Sequence, residues 1–359
     1  MFTRTDKKAT NRVFTGLVVY FTVMNLAVLL TDTLSQAAGG LTAFLNGKET
    51  AAPDSGLIMM LAIAPALIIT WLYFGLMQKK YGIFEESGIY DCDTGAYGIY
   101  DCEGMAYDAG YTDSECNAEA ADRVEVTEKK LPEIIFEKKR KISFSIILFG
   151  LAFTVCCQVF SAVIGNLIEC FFNSLGLSTA IDQAEFDVLG SIPLAVYITI
   201  IGPAAEEIVF RGFIMRGLMR CGRVFAIVAS AFLFGIMHGN LQQFPFAFIV
   251  GILLGYAAAE YSVWCSMLMH IINNGGLSYA LIVLNAVLPD TVSGLILVFV
   301  FALSFVYLAV SLLKNRASLS AYISENRTKS GSSWALCNIW LLIFMAWHIF
   351  EMVLSLSHL

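Results

Sequence analysis

Charge is scarce in this chain. Of its 359 residues, 14% are Asp, Glu, Lys or Arg and 58% are hydrophobic, with a mean hydropathy of +0.72. Soluble globular domains carry about 25% charged residues, so that class is excluded. Histidine and proline are also few, at four and seven. No histidine opens an HExxH sequence and no serine sits in GxSxG. The helical zinc-protease and nucleophile-elbow patterns are therefore missing. The nine cysteines include no CxxC pair or other zinc spacing. Cys156, Cys157, Cys170, Cys265 and Cys337 lie in apolar runs, where a thiol serves as a small hydrophobe. With a formal charge of -7, no nucleic-acid partner is expected.

In place of charge the chain has a series of apolar runs of about 17–25 residues, each able to cross a bilayer as a helix. Val13–Leu30 and Gly56–Met77 come first, then Ile142–Ile168. Further runs begin near Val188, Val224, Phe244 and Val263, and Val292–Leu313 and Trp334–Leu356 close the series. The fold class expected is all-α: a polytopic transmembrane helical bundle of eight or nine spans around an intramembrane polar cavity. N-terminal helices occupy 1–77 and an acidic loop 78–141. A transmembrane core covers 142–313, with its polar motifs inside 188–288, and 314–359 forms a polar linker and a C-terminal hydrophobic helix. Met1–Arg12 is basic, but the long run behind it lacks a small-residue cleavage site and reads as a retained first span.

The acid in the net charge is local. Fifteen Asp and Glu lie from Glu85 to Glu137, against three basic residues. This stretch holds a near-repeat, Gly88-Ile89-Tyr90-Asp91-Cys92 and Gly98-Ile99-Tyr100-Asp101-Cys102, too short for a solenoid. Its Gly, Asp and Tyr content reads as a disordered loop. Cys92, Cys102 and Cys116 are widely spaced with no histidine nearby, against the pattern of a zinc site. Lys and Arg cluster at Arg4–Arg12, Lys79-Lys80, Lys138–Lys141, Arg216–Arg223 and Lys314–Lys329, while loops 31–55, 169–187 and 286–291 hold only Lys48. By the positive-inside rule the N-terminus, the acidic loop and the Arg216–Arg223 connection face the cytoplasm. An integral protein of a cell membrane, bacterial by expectation, is the reading.

Three polar clusters interrupt the apolar runs. The first is Glu206-Glu207-x-x-x-Arg211, where Glu207 and Arg211 stand four apart in the favourable order for a helical ion pair. That pairing leaves Glu206, about 100° round the helix, to face a cavity. The second is Phe234-x-x-x-His238 and the third His270-x-x-x-Asn274, each pair sharing one helix face. At 1.5 Å per residue, Glu206, His238, His270 and Asn274 all fall about 12–21 Å from the basic or polar ends of their helices. One slab of a ~30 Å hydrocarbon core thus holds four polar side chains, which points to a shared pocket. Pro203 leaves open whether the fourth helix is continuous or restarts with both glutamates in its first turn. His348, three residues before Glu351, reads as a local ion pair or interfacial anchor, and His358 as a terminal residue.

These residue types suit hydrolysis. Glu206 with His238 could deprotonate water for attack on a carbonyl, and His270 with Asn274 could donate to the oxyanion. Glu206, His238 and His270 also form a His-His-Glu set able to hold zinc with an open position, so free and metal-bound water both remain open. The missing HExxH favours free water, and no metal ligand is assigned. A proton-coupled transporter using Glu206 and His238 as a relay fits less well, because no internal repeat is seen.

Together the clusters resemble the motifs of the CAAX prenyl protease and bacteriocin-processing family of intramembrane proteases, also called Abi or CPBP. EExxxR is matched by Glu206, Glu207 and Arg211, FxxxH by Phe234 and His238, and HxxxN by His270 and Asn274. The likeness covers roughly 188–288. It implies a helical bundle around a conical cavity open to the cytoplasm, with Glu206 as base, His238 its partner, and His270 and Asn274 the oxyanion site. It further implies a membrane-associated protein or peptide substrate, lipidated in the CAAX-type relatives, or a role in bacteriocin maturation or immunity. A non-catalytic immunity or scaffold protein is the competing class. The acidic insert departs from the compact family pattern.

Overall fold

Backbone N–H and C=O groups have no water to bond in hydrocarbon, so a chain of long apolar runs must pair them within helices. A computed structural model describes residues 3–46, 54–84, 89–90, 97–98, 130–179, 191–327 and 332–358, and it is helical nearly throughout. In order the helices are α1 (Arg4–Asn46), α2 (Ser55–Tyr81), α3 (Leu131–Ile135), α4 (Phe144–Asn173) and α5 (Ile192–Cys221). Then come α6 (Arg223–Ile236), α7 (Gln243–Glu260), α8 (Val263–Val287), α9 (Asp290–Glu325), α10 (Ser332–Leu336) and α11 (Ile339–Leu354). Two pairs of two-residue strands complete the described residues: Ile89–Tyr90 with Tyr97–Gly98, and Leu177–Ser178 with Ser357–His358. Most of the acidic loop, with Cys92, Cys102 and Cys116, lies outside the described residues, and so does its reading as disordered.

Seven described helices, α1, α2, α4, α5, α7, α8 and α9, are long and apolar enough to cross a membrane, which corrects the expected eight or nine. The runs that fall short are α6, with 14 residues, and α11, with 16. A 14-residue helix reaches only about 21 Å. The composition of these runs is apolar as expected, but α6 stops at the turn before Gly239 and α11 begins only after the Asn338 cap. Cys337 and Asn338 also divide the last run into α10 and α11. At the far side α4 continues past Ile168 to Asn173, and α9 past Leu313 to Glu325.

Pro203 does not start a new helix. The chain is helical from Ile192 to Cys221, with wider π-helical turns at Tyr197–Ile201 and Ile208–Met215. Gly202 N–H bonds to the Tyr197 carbonyl five residues back. In that register Pro203 would serve the Ile198 carbonyl, but it has no N–H to give. The Asn274 side chain donates to Ile198 O instead, at 3.1 Å. The second π segment is served the same way: Ser230 Oγ donates to Phe210 O at 2.8 Å.

Helices α6 and α7 pack as an antiparallel hairpin against α5, α1 pairs with α2, and α4 lies between α7 and α9. The main core joins Phe14, Leu17, Phe74, Phe210, Phe213 and Leu218, all buried. Phe74 and Phe213 stack with centroids 4.4 Å apart. Outward faces such as Leu26, Leu29 and Leu30 of α1 and Leu295, Val298 and Phe299 of α9 are exposed apolar surface, as lipid contact requires. Several basic flanks found by composition also make specific pairs. Buried Glu260, at the end of α7, accepts from Arg223 at 3.0 Å and Tyr322 OH at 2.8 Å and meets Arg140 at 3.4 Å. Arg220 reaches Asp6 at 3.2 Å and Ile83 O at 2.7 Å.

The opposite end fastens α5. Ser191 caps it and donates to Asp54, the cap of α2, at 2.5 Å. Just inside, α2 and α5 touch backbone to backbone: a Cβ at Gly56 would lie 2.1 Å from Leu194 N. Backbone atoms cannot yield as a flexible side chain can. Gly56→Ala is therefore expected to force α2 off α5 and destabilise by about 1–3 kcal/mol, seen as a lower thermal midpoint. A wild-type midpoint would refute that contact.

Candidate active site

Three helices bring the polar clusters together: α5 presents Glu206, Glu207 and Arg211, α6 presents Phe234 and His238, and α8 presents His270 and Asn274. The ion pair expected from spacing is formed, with Arg211 to Glu207 Oε1 at 3.1 Å and both side chains fully buried. Arg211 also donates to the Gly251 carbonyl of α7 at 3.2 Å, and its guanidinium lies 4.3 Å above the Phe234 ring. A desolvated cation over an aromatic face is favourable, so Phe234 helps to hold the arginine. His238 and His270 meet the same ring edge-on, with centroids at 5.0 and 5.5 Å. One phenyl group thus seats three members of the constellation.

His238 owes its orientation to the end of α6. Its own amide bonds to Gly235 O, three residues back, which leaves the Phe234 carbonyl without its usual partner. The ring takes that place, with Nδ1 2.8 Å from Phe234 O. A carbonyl only accepts, so the proton sits on Nδ1 and Nε2 keeps its lone pair in the neutral ring. His270 stands between the two glutamates, with Nδ1 2.9 Å from Glu207 Oε1 and Nε2 3.8 Å from Glu206 Oε2. Glu207 thus receives both Arg211 and His270 and is fully buried, whereas Glu206 keeps 24% of its side chain exposed.

Asn274 is engaged at both ends of its amide, donating to Ile198 O and accepting from Asn273 Nδ2 at 2.8 Å. Its place at the site is fixed by the carbonyl that Pro203 frees. Sequence reasoning passed over two neighbours: Asn273, buried beside Asn274, and Gly251, whose carbonyl holds Arg211. Only Asn273 had a local signal, as the repeated Asn of Asn273-Asn274.

Glu206, His238 and His270 are the side chains that could hold zinc. Among the described residues no three His, Cys, Asp or Glu side chains converge so as to hold a metal ion. Nδ1 of His270 is given to Glu207, Nδ1 of His238 to a carbonyl, and Glu206 stands outside hydrogen-bond distance of His270. Both histidines thus have Nδ1 held and Nε2 uncommitted, a disposition that serves hydrogen bonding and is equally that of a metal-ligating imidazole.

Residues 188–276 match the family model described as type II CAAX prenyl endopeptidase Rce1-like. All seven motif residues, from Glu206 to Asn274, fall inside that match. The chain is also similar to a Bacillus subtilis (strain 168) protein named "Putative membrane peptidase YdiL", 29% identical over 119 residues. The alignment takes in 32% of this chain and 49% of the relative, so the chain spans about half the length of the curated relative it matches. No solved structure matches. Helices α5 to α8, built around one buried Glu207–Arg211 pair, thus carry the 188–276 segment in which this integral membrane protein is similar to the Rce1-like CAAX prenyl endopeptidases.

Proposed function

We propose that the chain is a membrane-embedded endopeptidase that hydrolyses a peptide bond in a membrane-associated protein or peptide. The observation behind this is the contrast between the two glutamates. Glu207 is locked by Arg211 and His270, while Glu206 beside it is part-exposed and outside hydrogen-bond distance of His270. A carboxylate without a fixed partner is available to a substrate and a water.

Glu206 acts as general base. A water donating to Glu206 and to the bare Nε2 of His238 gives one proton to Glu206 as its oxygen bonds to the scissile carbonyl carbon. The oxyanion that develops faces donors from α8: the second N–H of Asn274 Nδ2 and, when His270 carries both ring protons, its Nε2–H. When the C–N bond breaks, Glu206 returns its proton to the leaving amine. The water needs no resident metal in this scheme. The catalytic residues are Glu206, His238, His270 and Asn274, with Glu207, Arg211 and Phe234 in support. The site opens towards the cytoplasm, and the substrate class includes prenylated CAAX-type termini and bacteriocin precursors.

The test is cleavage by the purified protein in liposomes, using membrane-tethered and farnesylated peptides, with and without a strong zinc chelator. His238→Ala is expected to lower turnover by roughly 10²–10⁴-fold, and the chelator to leave the wild type unchanged. Loss on chelation, restored by zinc, would transfer the chemistry to a metal-bound water. Full activity in His238→Ala would refute the site.

A further inference from the structure

Helix α9 runs for 36 residues, about 54 Å of helix, where a bilayer core asks for about 30 Å. Its apolar run ends at Leu313, and the helix continues from Lys314 to Glu325. This extension is tied to the bundle through Tyr322 and Asn326. Tyr322 OH donates to Glu260 Oε1 at 2.8 Å and its ring lies 5.5 Å from that of Tyr256, while Asn326 O accepts from the Val224 amide at 3.2 Å. Every other residue from Leu312 to Arg327 is exposed. On one face Leu312, Arg316, Leu319, Ile323 and Arg327 recur at spacings of three and four and, with Ser320, line a groove of about 590 Å³. Apolar side chains and two cations thus share one concave surface.

Two routes through the fold give the level of that surface. Glu260 ends α7, an 18-residue helix that reaches about 27 Å and so barely crosses the core. Tyr322 is bonded to Glu260, and Arg316 stands nearer the middle of the bundle by about 9 Å along α9. From the other side, Leu308 packs with Ala152 and Cys156 of α4, about 12–18 Å inside Phe144. Arg316 lies about 12 Å beyond Leu308, level with the first turns of α4. There Phe144 is 79% exposed and Ile142 43%, as on a lipid-facing surface. The Arg316 guanidinium therefore sits at the edge of the apolar belt, where a charge needs a partner.

The charge of the surroundings says which partner. From Leu312 to Arg327 the basic residues are Lys314, Arg316 and Arg327, against the single acid Glu325. Packing brings a second basic segment to the same place: Lys138, Arg140 and Lys141 are exposed, and Arg140 lies 3.4 Å from the carboxylate that Tyr322 bonds. Glu260 itself is already answered by Arg223 and Arg140. We propose that the α9 groove binds one anionic glycerophospholipid. Its phosphate lies between Arg316 and Arg327, with the Ser320 hydroxyl as a further donor, and its acyl chain runs along Leu312 towards the apolar part of α9. A zwitterionic lipid offers the same phosphate, but its own cation would meet this basic surface, so net negative charge is selected. The groove lies outside the 188–276 segment, and the proposal is independent of the endopeptidase reading.

The test is native mass spectrometry of the full chain, delipidated in a non-ionic detergent and titrated with phosphatidylglycerol, phosphatidylcholine or glycerol 3-phosphate. Phosphatidylglycerol is expected to bind first, with one molecule held at least tenfold more tightly than phosphatidylcholine. The double variant Arg316→Gln with Arg327→Gln is expected to weaken that first binding by roughly 25-fold, about fivefold for each charge removed. Both side chains are exposed, so the thermal midpoint should stay at the wild-type value. Arg316→Lys with Arg327→Lys keeps the charge and should keep most of the affinity. Lys7→Gln with Lys8→Gln removes as much charge from an exposed part of α1 and should leave the first binding unchanged. Equal affinity for the two lipids overturns the proposal, as does wild-type binding in the Arg316→Gln, Arg327→Gln variant or an equal loss in the Lys7, Lys8 variant. Displacement of the lipid by glycerol 3-phosphate would assign the groove to a soluble phosphate instead. A dimer that the arginine substitutions dissolve would assign it to a second copy of the chain, and either result overturns the lipid.

Discussion

Glu206→Gln is expected to lower turnover by about 10²–10⁴-fold while the folded protein survives at wild-type yield. Glutamine has the same shape but no basic oxygen, so it can orient a water without taking its proton. Stability is spared because Glu206 makes no hydrogen bond within the described structure that the fold requires, its nearest charged group being His270 Nε2 at 3.8 Å. The adjacent Glu207→Gln should behave in the opposite way. Its carboxylate answers both Arg211 and His270 in a fully buried position, so neutralising it leaves the guanidinium without a counter-charge. Turnover and thermal midpoint measured on both variants make the check. Equal losses of midpoint in the two would mean that the glutamates do not divide the roles this way.

Arg211→Ala is the second large effect, this time on the fold. The side chain is fully buried, pairs with Glu207 at 3.1 Å, donates to Gly251 O at 3.2 Å and lies over Phe234 at 4.3 Å. Removing it strands the Glu207 carboxylate in a low-dielectric interior and leaves a void between α5, α6 and α7. Breaking a buried pair by deleting one partner is destabilising by about 3–5 kcal/mol, enough to consume a large part of a typical domain's stability. Loss of purified, monodisperse protein, or a sharply lower thermal midpoint, is the expected result. The double variant Arg211→Met with Glu207→Gln removes both charges, and should recover part of the midpoint without recovering turnover. A single Arg211→Ala that melts like wild type would show the pair to be dispensable.

Much of the site was legible because its first-order contacts are local. Glu207 and Arg211 sit four residues apart on one helix, so spacing alone predicted the ion pair and the release of Glu206. Phe234 and His238 share a face by the same count, and their rings meet at 5.0 Å. The span count was less legible. Composition records where a run is apolar but not where its hydrogen bonds stop, and α6 ends at a turn built by Gly239, Asn240 and the His238 ring.

Contacts between helices far apart in sequence were invisible. The question raised by Pro203 was answered 71 residues later, when Asn274 supplied the donor that proline lacks to Ile198 O. The motif marked His270 as a polar member of the site, but not that its Nδ1 pairs with Glu207, 63 residues earlier in the chain. His348 had only Glu351 as a visible partner, yet its burial against Phe21 and Phe344 depends on α1 and α11 packing together.

From residues alone came the membrane class, the order of the polar helices and the i,i+4 pairs, because hydropathy and helical period are properties of a single segment. Which nitrogen meets which carboxylate, how a proline is tolerated in the helix that holds the glutamates, and that the C-terminal helix lies against the site were decided only by tertiary packing. The physical reason is that a buried polar atom must find its partner wherever the packed helices place one, and sequence separation sets no limit on that distance.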